Sequence, residues 1–123
     1  MTFRQVLTQM RAEQRFYEEL TRTPDSHAEQ VVEWLQERYD SRRTLAWITP
    51  LIRVAHNLSA GDKTRVETLI ENAMASFENV GRVLASKKSA GEKLDECKQW
   101  LNADAISLWV RIIENVAQTT NRF

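Results

Sequence analysis

The residues closest to recognisable chemistry in this chain are two matching pentapeptides, SAGDK at 59–63 and SAGEK at 89–93, which hold two of its three glycines. Glycine, lysine and a following Thr64 invite comparison with a phosphate-binding loop. Such a loop needs two glycines flanking four residues before Lys-Ser/Thr, so that consecutive backbone N–H groups wrap the phosphates. Here the second glycine is missing, Asp62 or Glu92 stands where it would repel a phosphate, and Leu94 follows Lys93 in the second copy. The better match is S-x-x-[DE], the capping box that opens a helix, with Ser59 and Asp62 in one copy and Ser89 and Glu92 in the other. In that role the serine oxygen accepts a first-turn N–H, and the acid sits at the positive end of the helix dipole. Two helices are expected to begin near residues 60 and 90.

Glu29, Glu33 and Glu37 form an acidic line at i, i+4, i+8. Carboxylates inside a helical bundle can hold metal ions when Glu-x-x-His pairs on other helices complete the site. Neither histidine has that partner, because Pro24 stands three residues before His27 and Arg53 three before His56. A solvated or ion-paired face is expected instead. Cys97 could serve as a nucleophile only as a thiolate in an electropositive niche. It shares a helix face with Leu94 and Leu101 and has Glu96 beside it, the pattern of a small core residue. The sequence has no Ser-His-Asp spacing, no cysteine pair for zinc and no glycine-rich nucleotide fingerprint. The chain is therefore read as non-enzymatic, with no catalytic, cofactor or metal site and no small-molecule substrate.

Two basic doublets remain, Arg42-Arg43 and Lys87-Lys88, with Lys93 and Arg82 near the second and Arg53 inside an apolar stretch. Phosphate-backbone contact needs such side chains to converge on one surface. Arg42, Arg43, Arg53, Lys87, Lys88 and Lys93 are the candidates for that role. The plain alternative is helix-end cations where the dipole favours positive charge. Trp34, Trp47, Trp100 and Trp109 could stack on bases, but they lie on or beside apolar stripes, which points to core or interface anchors.

These residues must be carried by helices, because apolar spacing of three and four runs through most of the chain. Phe3, Val6, Leu7, Met10, Tyr17 and Leu20 predict a first helix over about 3–21 with Thr2 as N-cap. Pro24 breaks it, and Ser26 with Glu29 is a second capping-box match before Ala28, Val31, Val32, Leu35 and Tyr39. Ser41 is expected to open a third helix, apolar on most of its circumference through Leu58. Pro50 either kinks it or occupies the first position of a fresh helix capped by Thr49. The longest helix is expected over about 60–87, with Gly81 marking a bend or a close helix approach. Leu94, Cys97 and Leu101 define a shorter helix. Asp104 is the expected cap of a last one carrying Ile106, Trp109, Ile112, Ile113 and Val116, and the tail QTTNRF should fray.

A chain of 123 residues with only three glycines, two prolines and no strand pattern predicts one all-α domain, residues 1–123, a bundle of five or six helices. Net charge is zero, with 17 basic and 17 acidic residues, which removes the simplest argument for a nucleic-acid or membrane binder. The charge is unevenly spread: five basic and eight acidic residues over 1–40, nine and five over 41–93. A single cysteine and the absence of a signal-peptide or membrane-span pattern lead to the expectation of a cytoplasmic protein with no membrane partner.

Surplus apolar surface on the third helix makes a protein partner, or self-association, the leading expectation, with Trp47, Leu51 and Val54 or their opposite face as the binding patch. The alternative is a small helical subunit of a nucleoprotein complex that contacts nucleic-acid backbone through a basic face. NLSAG (57–61) and IIENVAQTTN (112–121) resemble short stretches of the small helical subunit of CRISPR Cascade complexes, a family of that second kind. The likeness covers these fifteen residues, and the family's basic character is not evident in the rest of the chain.

Overall fold

A computed structural model describes residues 2–38 and 45–120. These form an all-α bundle of six helices: α1 (Phe3–Arg22), α2 (Ala28–Arg38), α3 (Ile48–Val54), α4 (Ala60–Ala85), α5 (Ala90–Trp100) and α6 (Ala103–Thr120). No strand occurs among the described residues. A 3-10 turn, Asp25–His27, leads into α2. The expected cap at Ser41 falls outside the described residues, as do residues 121–123 of the tail expected to fray, whereas Gln118, Thr119 and Thr120 of that tail are helical and end α6.

Helix starts follow local chemistry at four places. The Thr2 hydroxyl accepts from the N–H of Gln5, and the Gln5 side chain accepts from the N–H of Thr2, so α1 opens on a complete capping box. Ser59 and Ser89 accept from the N–H groups of Asp62 and Glu92, at 3.4 and 3.3 Å, and open α4 and α5. The last helix is capped two residues earlier than expected. The side chain of Asn102 accepts from the N–H groups of Asp104 and Ala105, and Asp104 lies in the first turn. Ser26 differs again. It sits inside the 3-10 turn, whose start has no side-chain cap, and no hydrogen bond joins it to Glu29.

The third helix is much shorter than expected. Leu45 has φ 58°, in the left-handed region where a branched side chain is strained, so no helix can run through it. The helix then spans only Ile48–Val54, and Pro50 is its third residue. There the missing N–H is one of the four that would lack an intrahelical partner anyway, so proline neither kinks nor divides it. The long helix matches expectation, 26 residues over Ala60–Ala85, about 39 Å at 1.5 Å per residue. Its Gly81 meets nothing within 4 Å of an added Cβ, so no close helix approach explains it.

One connected core joins all six helices. The most extensive packing is between α1 and α6. After it come α5 against both α2 and α4, and then α4 against α6. Phe3, Val6, Leu7 and Met10 of α1 and Ile106, Ile113 and Val116 of α6 are buried almost completely. No helix among the described residues is long and apolar enough to cross a membrane.

Candidate interaction surfaces

The patch expected on the third helix faces inward. Trp47 and Leu51 are 1% and 0% exposed and Val54 is half-buried, so this side belongs to the core and cannot meet a partner. The Trp47 ring lies 6.2 Å from that of Trp109, tilted by 48°. Its indole N–H donates to a carboxylate oxygen of Glu13 at 2.9 Å. The same carboxylate accepts the Leu45 N–H at 2.9 Å and the Tyr17 hydroxyl at 3.1 Å. Two of these donors, the Leu45 N–H and the Trp47 indole, hold the turn that enters α3 to one half-buried carboxylate, and they stabilise Leu45 in its strained conformation. No sequence pattern flags Glu13 as the anchor of this turn, because two of its three donors come from 32 and 34 residues away. The opposite side of α3 does reach solvent, through Ile52 at 54% exposure.

Of the six cations proposed for phosphate contact, Arg42 and Arg43 lie outside the described residues. Arg53 and Lys87 are exposed. Lys88 pairs with Glu96, and Lys93 donates to the carbonyl of Leu84 at 2.9 Å, which also accepts from the Gln36 side chain. Lys93 thus closes the end of α4 from the start of α5, whereas Lys63, its counterpart in the first pentapeptide, is exposed. The two lysines do not share a ligand.

Cys97 is fully buried in α5. Burial pushes its thiol up to about 11, with the neighbouring Glu96 charge adding to the rise and Lys93 opposing it. At neutral pH it is a protonated core side chain without thiolate character. Among the described residues no group of three His, Cys, Asp or Glu could hold a metal ion. An open, polar groove of about 360 Å³ lies between the 3-10 turn and the start of α5, lined by Asp25, Ser26, Glu29, Ser89 and Gly91. Two of its rim residues, Asp25 and Glu29, are acidic, and no polar residue among the described ones is buried there to receive a ligand.

Two rows of charge occupy the outer faces of α1 and α2. Arg4, Arg11, Arg15 and Arg22 are all exposed. Their spacing of i, i+7, i+11, i+18 places them within an arc of roughly 40° along the whole length of α1. Glu29, Glu33 and Glu37, read from the sequence as a solvated face, are all exposed on α2. The ion pairs among the described residues are Arg11–Glu114, Arg65–Asp62 and Lys88–Glu96, and none of them involves the acidic row. The arginine row is legible in the sequence as a near-heptad repeat. It is easily missed because the first forty residues are acidic overall.

No family model, curated protein or solved structure matches the chain at a significant level.

Proposed function

We propose that this protein is a non-enzymatic helical interaction protein that works through protein–protein contact as part of a larger assembly. What supports the reading is a set of large apolar side chains standing off the core: Trp34, Trp100, Met74, Ile52 and Leu108, between 38% and 54% exposed. Single exposed apolar residues are ordinary. Two half-exposed tryptophans in a chain of 123 residues are less so, since tryptophan is the side chain most enriched at the energetic centres of interfaces. Trp34 also rests on Phe16, with ring centroids 5.3 Å apart, which holds part of this surface rigid before a partner arrives.

The test is co-purification of tagged protein from its native host, with light scattering of the purified chain beside it. The expected result is a defined protein partner or concentration-dependent self-association, diminished by Ile52→Glu or Leu108→Glu in a chain that still folds. A monomer at every concentration that brings down no protein would remove the reading.

A further inference from the structure

Resting on that protein–protein reading, we propose that one partner of this chain is a second copy of itself, joined by the arginine row of α1 on one copy and the glutamate row of α2 on the next. The motive is complementarity between two surfaces that form no ion pair with each other among the described residues of one chain. On α1 the arginine row lies toward α6: Arg11 reaches Glu114 at 2.9 Å, and Gln14 on the same flank bonds Ser107 at 2.8 Å. On α2 the glutamate row begins on the other flank, with Glu29 beside Ser89 and Gly91 at the start of α5. Between the two rows the helices meet through Phe16 and Trp34.

The rows are available. The guanidinium of Arg4 has no partner among the described residues. Arg15 and Arg22 make only long Nε contacts to carbonyls of their own helix, at 3.4 and 3.3 Å. The Arg11–Glu114 pair is surface-exposed, so solvent already screens it and exchanging its partner costs little. Spacing agrees as well. Arg11 and Arg15 stand four residues apart, as do Glu33 and Glu37, so each pair repeats every ~6 Å along its helix and two antiparallel helices bring both pairs into register. Arginine suits the contact because its planar fork binds a carboxylate with two parallel hydrogen bonds.

A phosphate backbone could also lie along four arginines. Glu18 and Glu114 intrude on the row, and the chain has no net positive charge, both of which disfavour a polyanion of uniform charge. A carboxylate row on a partner helix tolerates such neighbours. Since the two rows lie on different flanks, the contact joins unlike patches, head to tail.

The test is a charge swap followed by sedimentation velocity at low ionic strength. One variant carries Arg4→Glu and Arg15→Glu, leaving the Arg11–Glu114 pair in place; the other carries Glu33→Arg and Glu37→Arg. Circular dichroism checks that both fold. We expect wild type to associate, each variant alone to associate at least about tenfold more weakly, and an equal mixture of the two to regain association, because the intact arginine row of one variant then meets the intact glutamate row of the other. The inference is overturned if wild type stays monomeric, or if neither reversal matters. Association untouched by reversal leaves the broader protein–protein reading intact, so the two ideas fail separately. Binding of a labelled single-stranded oligonucleotide that is lost with Arg4→Glu and Arg15→Glu, without self-association, would also overturn it and assign the row to phosphate.

Discussion

The turn around Trp47 and the outer faces of α1 and α2 are the two places where this chain concentrates its side-chain signals, and they resolve in opposite directions. The first is the most apolar stretch of the sequence, and the fold consumes it: Trp47 and Leu51 close the core, and a half-buried Glu13 collects the turn's polar groups. The second is ordinary in composition, and the fold leaves its charges in solvent along two straight rows. Apolar density marks what holds the molecule together. Charge spacing marks what the fold leaves in solvent.

The largest expected effect lies in the first region. Leu51→Ala removes a side chain with no exposure and should cost about 2–5 kcal/mol in urea unfolding, and Trp47→Ala about 3–5 kcal/mol. A loss below about 1 kcal/mol in both would break the contrast by returning this patch to the surface. Glu13→Gln comes next. It places an amide against three donors where a carboxylate accepted them, and about 2–3 kcal/mol should be lost, with faster exchange of the Trp47 indole proton. Ser89→Ala and Ser59→Ala should each cost about 1 kcal/mol, as lost helix caps do.

Cys97 adds a pH-dependent test of the buried side. Its folded-state thiol titrates near 11, above the ordinary 9.0, so the native state binds the proton more tightly than the unfolded chain. The associated stability is complete below the unfolded value and is lost as pH rises through about 9 to 11. Cys97→Ala should flatten the decline of stability over that window, and an aromatic disulfide reagent should leave the native thiol unreacted at neutral pH. The smallest effects on stability belong to the second region. Reversing Arg4, Arg15, Glu33 or Glu37 singly should shift unfolding by no more than about 0.5 kcal/mol while still changing association.

Most of the scaffold was legible because its signals are local. Ser59, Ser89 and Thr2 read as caps and act as caps, and the stripe from Val66 to Leu84 reads as a long helix and is one. Where an expectation failed, a non-local or competing local interaction prevailed. Asn102 displaced Asp104 as a cap because its side chain reaches two N–H groups from one step outside the helix. The third helix begins only at Ile48 among the described residues because Glu13 on α1 holds Leu45 in a conformation no helix allows. Its apolar circumference was read as spare surface, yet the core covers all but the Ile52 side. The matching pentapeptides make the same point: their serines behave alike, and their lysines diverge, Lys93 donating to the carbonyl of Leu84 at the end of α4 while Lys63 is exposed.

The central claim is that the charged faces of α1 and α2, left over after the core is built, bring copies of this chain together. Sedimentation equilibrium of the wild-type protein at two ionic strengths tests it most directly. At low salt, where the screening length is about 30 Å, the weight-average mass should rise with concentration above the 14.3 kDa of one chain. Near 1 M salt, where that length is about 3 Å, it should fall back to the single-chain value. A single-chain mass in both conditions would contradict the claim, as would association that strengthens with salt, which would place the contact on the exposed apolar side chains instead.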